Sequence, residues 1–193
     1  MGASRLAAIL FASVACWFGA TPSSAQEPIK IGVLTIRSGP ATPVGDDILA
    51  GIETATKMYG PVLARPVELI IEESQWNAQQ AVTKATKLVQ QNRVVAILGT
   101  STVETLALLP VADRIGVPIV TSNSGSAALT RENCSKWVFR TNGEDLMSAE
   151  APRYLISQKA DLRNAKWFTL GHDYPFSRLV AGTVKSVKEL NYV

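Results

Sequence analysis

From residue 29 onward the chain alternates short runs of nearly continuous Val, Ile and Leu with longer stretches whose apolar residues recur at helical spacing. Apolar strands without polar alternation must be buried on both faces, so this pattern leaves few folds open. Residues 29–36 (IKIGVLTI) predict a first strand, closed by Arg37-Ser38-Gly39-Pro40. Residues 46–59 place Ile48, Leu49, Ile52, Ala55 and Tyr59 at helical spacing. Residues 67–73 (VELIIEE) read as a second strand. Asn77 can cap the following helix, whose apolar side is Ala78, Ala81, Val82, Ala85, Leu88 and Val89. A third strand is expected at 94–99, a helix at 103–115 kinked where Pro110 removes a backbone donor, and a fourth strand at 117–121. A Ser-, Asn- and Gly-rich stretch at 122–135 follows, with a short turn at 127–131. Beyond it come a strand at 137–141, a helix at 145–158, a strand at 166–170 and a helix at 175–190. Residues 191–193 read as the opening of one more strand. The fold class is therefore predicted as α/β, a parallel sheet covered by helices on both faces.

Composition narrows function by exclusion. The formal net charge is +3 at pH 7 and the basic residues are scattered, so no nucleic-acid partner is expected. With one histidine, His172, and two cysteines, Cys16 and Cys134, the chain lacks the closely spaced ligands of a zinc site. It contains no G-x-S-x-G elbow, no G-x-x-x-x-G-K-[ST] loop and no G-x-G-x-x-G turn after the first strand. No metal, cofactor or catalytic activity is expected. His172 beside Asp173 lacks the nucleophile and third member that hydrolytic acid–base chemistry would use.

In open parallel sheets, ligands lie beyond the carboxyl ends of the strands, where strand order reverses. Three predicted strand ends carry small polar residues: Ser38-Gly39-Pro40, Gly99-Thr100-Ser101-Thr102, and residues 121–126 (TSNSGS). If the order begins 2-1-3-4, the ends of strands one and three flank the crevice. The loop ending at Thr102 runs straight into a helix, whose first amides and partial positive charge suit a carboxylate. Ser101 and Thr102 can donate to such a ligand, or one of them can simply cap its own helix. Ser124 and Ser126 can hydrogen-bond a ligand or satisfy their own loop. Tyr174 or Phe176, after the strand at 166–170, can close an aromatic lid, although Phe176 also falls on the apolar stripe of its helix. Trp137 and Trp167 read as packing residues.

The amino terminus reads as an export signal. Arg5 is a short cationic start, residues 6–20 (LAAILFASVACWFGA) form an apolar run too short to span a bilayer, and Thr21-Pro22-Ser23-Ser24-Ala25 supply small residues for cleavage. Cleavage after Ala25 would release a soluble chain beginning Gln26-Glu27-Pro28 outside the cytoplasm, most simply in a bacterial periplasm. A rival reading makes Cys16 a lipid-anchoring cysteine, but Ser13 stands where a larger aliphatic residue is wanted. Removal of the signal leaves Cys134 as the single thiol, and an odd cysteine in an oxidising compartment is expected to have a partner elsewhere.

One ordered set of motifs goes further. It comprises I-K-I-G-V-L-T-x-x-S-G-P (29–40), V-G-x-D-x-L-A-G-I-E (44–53), A-V-T-K-A-T-K-L-V (81–89), A-I-L-G (96–99), G-V-P (116–118), A-L-T-x-x-N-C-S (128–135), V-F-R-T (138–141) and D-Y-x-aromatic (173–176). In these residues the chain resembles the type I periplasmic solute-binding proteins of the Leu/Ile/Val-binding family, which feed ABC importers. The resemblance implies two hinged α/β lobes that close on a small ligand, with residues 1–25 as signal, 26–141 as lobe 1 and 142–193 as part of lobe 2. Phe139-Arg140-Thr141 would lie near the first hinge crossing. A ligand carboxylate would be held at Ser101 and Thr102, with a second contact region at Asn123, Ser124 and Ser126, and Phe176 rather than Tyr174 as the lid aromatic. Val44 matches an often aromatic position, implying a wider or less stacking pocket there. Members of the family are much longer, so the chain reads as an amino-terminal fragment. The remainder would hold the acidic residue that pairs with a ligand amino group, and the partner of Cys134. The function implied is a monomeric, non-catalytic binder of a small amino acid, amide or carboxylate that delivers it to a membrane permease. A ligand-sensing domain on the same fold is the alternative.

Overall fold

The computed structural model describes residues 26–171, 173–187 and 190–192. The export signal at 1–25 with Cys16, His172 of the hydrolytic alternative, and Val193 lie outside the described residues. Five parallel strands, β1 (Ile29–Thr35), β2 (Val67–Glu73), β3 (Ala96–Ser101), β4 (Ile119–Asn123) and β5 (Val138–Arg140), form one sheet in the order β2-β1-β3-β4-β5. The crossovers are α1 (Thr42–Tyr59), α2 (Ala78–Gln90), and α3 (Thr102–Leu108) followed by α4 (Ala112–Ile115). After β5 come α5 (Asp145–Gln158), α6 (Ala160–Asn164), β6 (Lys166–Trp167), α7 (Pro175–Lys185) and β7 (Asn191–Tyr192), with β6 and β7 paired in parallel. This is the α/β architecture expected, and the strand order reverses between β1 and β3.

Alternation along β1 assigns the two faces. Leu34 is fully buried in a cluster with Ala81, Ala85 and Leu88 of α2 and with Ile97, Leu108 and Ile119. On the opposite face, Val33 and Ile48 of α1 converge on the Cα of Gly99. Burying a Leu or Ile side chain is worth about 1.5–3 kcal/mol, so this doubly covered sheet is the main source of stability. Trp137 packs against the same cluster, and its indole N–H donates to Asp113 at 2.9 Å.

Several boundaries move for identifiable reasons. α1 starts at Thr42 rather than 46, because Pro43 fits a first helical turn that needs no N–H. The helix expected at 103–115 breaks at Pro110 into α3, a 3₁₀ turn (Leu109–Val111) and α4. β4 runs on through Ser122 and Asn123, where Asn123 pairs with Ser101 of β3. β6 has two residues rather than the five of 166–170, and α7 stops at Lys185 rather than 190.

Glu72 of β2 is gripped by Lys84 and Lys87 of α2, at 2.8 and 2.5 Å. Burial pushes its carboxyl up, but hydrogen bonds and charge from the two lysines outweigh burial and leave it below its ordinary value. A carboxyl depressed by folding stabilises above its unfolded pKa, and that contribution is lost as pH falls through the folded value. Both lysines reach solvent, which limits the effect to about 1 kcal/mol. In urea melts run from about pH 6 to about pH 3, the native sequence should lose more stability than Glu72→Gln, by up to about 1 kcal/mol. Parallel curves for the two proteins would show that the bridges contribute nothing.

Candidate functional site

The strand ends are shaped by an irregularity in β3. Gly99 takes φ +92°, and the β3–β4 register shifts on both sides of Thr100. Such a bulge bends the strand end and re-aims the residues that follow. Threonine hydroxyls then tie the ends together. Thr121 Oγ1 donates to Thr100 O at 2.6 Å, Thr141 Oγ1 to Thr121 O at 3.0 Å, and Thr105 Oγ1 to Ser101 O at 2.6 Å.

Ser101 is the N-cap of α3, and Glu104 supplies the carboxylate half of a capping box, accepting from the Ser101 amide, while the Ser101 hydroxyl makes no cap hydrogen bond. Glu104 is fully buried. Its Oε2 accepts from Ser101 N–H at 2.6 Å, while its Oε1 accepts from Ser74 Oγ. The Ser101 amide, one of the donors expected to meet a ligand, is therefore occupied by the protein itself. Thr102, the first helical residue, still has no intrahelical acceptor for its N–H, as helix geometry dictates. Ser101 Oγ is left over: Ser101 is 3% exposed, and this hydroxyl has no hydrogen-bond partner among the described residues.

A cleft of about 440 Å³ opens at this point. Ser101, Thr102, Asn123 and Phe176 line it, so four of the six candidate residues converge. Ser124 and Ser126 do not line it. Ser124 is fully buried, with its N–H donating to Asn142 Oδ1 at 3.1 Å. Ser126 gives its carbonyl to Arg140 at 3.0 Å and precedes a 3₁₀ turn (Ala127–Leu129). The glycine between them, Gly125, faces the cleft instead.

Three lining residues escaped sequence reasoning or were ranked low. Trp76 and Tyr174 both face the cleft, with ring centroids 5.6 Å apart and planes tilted by 46°. Gln75 and Trp76 hold φ of +54° and +51°, a left-handed conformation costing non-glycine residues on the order of 1 kcal/mol each. An aromatic residue in the short gap between β2 and the Asn77 cap was the available signal. Val44 lines the same cleft, so the aromatic surface that Val44 itself lacks is supplied by Trp76 and Tyr174. Asp145, at the start of α5, is the third. Its N–H donates to Gly125 O at 2.7 Å and its carboxylate lies against the Gly125 Cα. Burial pushes this carboxyl above its ordinary value, with Arg140 opposing the shift and Glu144 reinforcing it.

Two broader concavities, more open to solvent, lie elsewhere. One is beside the exposed Cys134 and Pro110, the other beside Phe168 and Leu170. Neither gathers the residues of the β3 and β4 ends.

A family model described as periplasmic binding protein matches residues 28–191. No curated protein matches the chain. Among solved structures, an ABC transporter substrate-binding protein from Sphaerobacter thermophilus is 29% identical with a TM-score of 0.69, over 82% of this chain and 43% of that one. The branched-chain amino acid transporter substrate-binding protein LivJ from Streptococcus pneumoniae, solved with isoleucine, is 20% identical with a TM-score of 0.72, over 82% and 46%. A solute-binding protein of an ABC transporter from R. palustris, in complex with benzoate, is 23% identical with a TM-score of 0.72, over 82% and 44%. The chain thus spans less than half the length of these solved relatives. With nearly every described residue inside the matched span, the chain belongs to the periplasmic binding protein family, whose members are extracytoplasmic binding proteins and not enzymes.

Proposed function

We propose that this chain supplies the ligand-binding lobe, residues 26–141, and part of the second lobe, 142–193, of a monomeric periplasmic binder. This binder would deliver a small carboxylate-bearing solute to an ABC importer's membrane permease. The observation that carries the reading is the hydroxyl of Ser101, buried and unpartnered on the wall of a cleft that also receives Thr102 and Asn123. A buried polar atom left without a partner costs about 1–3 kcal/mol. Ser101 lines the cleft, so a ligand oxygen that reaches this hydroxyl relieves that cost. Trp76, Tyr174, Phe176 and Val44 offer an apolar and aromatic surface for the body of the solute. The relatives solved with isoleucine and with benzoate frame the solute class as an amino acid or an aromatic acid.

The test separates ligand contact from capping. Removing an unpaired hydroxyl should leave the unliganded fold nearly untouched, so Ser101→Ala is expected to unfold within about 0.5 kcal/mol of the native sequence. Calorimetry against leucine, phenylalanine and benzoate should show the best of these weakened about tenfold in Ser101→Ala, the loss of one hydrogen bond to a charged group. Thr102→Val should weaken it as well. Unchanged affinity in both variants would refute the anchoring role.

A further inference from the structure

We infer that Asn142 is a site of spontaneous modification, where the side-chain amide is lost, the backbone is rerouted and the cleft wall changes as the protein ages. The chain has seven asparagines, and only Asn142 is followed by glycine. That pairing matters because the nucleophile is the backbone nitrogen of the following residue. A glycine there has no side chain to hinder the rotation that brings this nitrogen onto the carboxamide carbon. A Cβ at position 143 would meet nothing within 4 Å, so the surroundings also leave this peptide room to turn.

The fold prepares both reacting groups. Gly143 is exposed, and its N–H donates to no group among the described residues. Asn142 Oδ1 accepts from Ser124 N–H at 3.1 Å, which draws electron density from the carboxamide carbon as an oxyanion-hole donor does. Asn142 Nδ2 donates to Gly143 O at 2.9 Å, folding the carboxamide over its own following residue. Attack by Gly143 N on Asn142 Cγ, with the N–H proton passing to water, closes a five-membered succinimide as the Cγ–Nδ2 bond breaks and ammonia leaves. Water then opens either carbonyl, giving aspartate or isoaspartate, so one water is consumed for each ammonia released. The same contact protects a neighbour. Asn123 precedes Ser124, which is fully buried and whose N–H is the one held by Asn142.

The consequence follows from position. Residues 142–144 bridge two pinned points. Thr141 holds Thr121 O through its N–H at 3.3 Å and its Oγ1 at 3.0 Å, and Asp145 N–H donates to Gly125 O at 2.7 Å. Isoaspartate runs the main chain through Cβ and lengthens this bridge by one carbon. The end held by a single hydrogen bond, at Asp145, is the one that gives way. Asn142, Gly143 and Asp145 all line the cleft, so its wall shifts with them.

Peptide mass mapping of the purified protein, held for days at mildly alkaline pH, reads the modification without any solute. The peptide containing Asn142 should gain the mass difference between a carboxyl and an amide group. It should resolve into an aspartyl and an isoaspartyl product, the latter accepting a methyl group from an isoaspartyl methyltransferase. Gly143→Ala keeps Asn142 and should slow the change by at least about tenfold. Asn142 should react in the native protein at a rate within about threefold of that in urea, whereas Asn123 should react only in urea. In hydrogen exchange, the isoaspartyl protein should lose the protection that the unmodified protein shows at the Asp145 amide. An Asn142 that reacts in urea but stays intact in the native protein, or a Gly143→Ala variant that reacts at the native rate, would overturn the inference. An isoaspartyl form with the Asp145 amide still protected would overturn the shift of the cleft wall.

Discussion

Gly45→Ala is expected to destabilise the protein by at least about 3 kcal/mol, as a rigid overlap in a packed interior demands. A methyl group at this position would run into the carbonyl oxygen of Ile36 and lie 2.6 Å from its carbonyl carbon. Both are backbone atoms just past the end of β1, so no side-chain rotation relieves the clash. The first turn of α1 would have to lift from the sheet, breaking the 3.2 Å hydrogen bond from Thr35 Oγ1 to Gly45 O. Ile36, Ala41 and Val44 line the cleft on this side, so ligand affinity should fall before the fold is lost. Gly51→Ala is the matched control. It lies in the same helix, a Cβ there meets nothing within 4 Å, and alanine should stabilise by about 0.5–1 kcal/mol. Urea melts that place the two variants within 1 kcal/mol of each other would show that the α1–β1 contact is not as close as described.

What could be read in advance follows from the range of the forces involved. The central strands β1, β3 and β4 and the long crossover helices declared themselves because doubly buried strands need near-continuous Val, Ile and Leu, and α2 needs its Ala81–Ala85–Leu88 stripe; the edge strands β2 and β5, half-exposed, followed from their β-rich residues and their place in the alternation. Ser101, Thr102 and Asn123 were reachable because strand ends follow from strand order. Phe176 was reachable by resemblance. Residues that act through tertiary placement were harder. Asp145 enters the cleft only because Gly125 lacks a side chain, a fact invisible until β4 and α5 are set side by side. Trp76 meets Tyr174 nearly a hundred residues away, and no local pattern links them. Glu104 is a different kind of miss: Ser101-Thr102-Val103-Glu104 spells a capping box in plain sequence. Attention to the hydroxyls alone hid the fact that the carboxylate claims the Ser101 amide.

That claim makes Glu104 the residue on which the geometry of the site most depends. Glu104→Ala should cost about 3–5 kcal/mol in urea unfolding, because it opens a cavity and strands one buried donor, Ser101 N–H, at about 1–3 kcal/mol. Glu104→Gln should cost far less, about 1 kcal/mol, for a reason specific to Ser74. Ser74 Oγ has one proton but two acceptors within reach, Thr35 O at 3.2 Å and Glu104 Oε1. With glutamine, Ser74 can donate to Thr35 O and accept from one amide N–H, while the amide oxygen keeps Ser101 N–H, so both partners of Glu104 stay paired and only the second amide N–H is left over. The two substitutions should therefore separate by at least about 2 kcal/mol. The same ordering should hold in ligand binding, since it is this carboxylate that holds the Ser101 backbone while its own hydroxyl stays free for a solute. Equal damage from Gln and Ala would mean that the negative charge of Glu104, rather than its hydrogen bonds, fixes the end of β3.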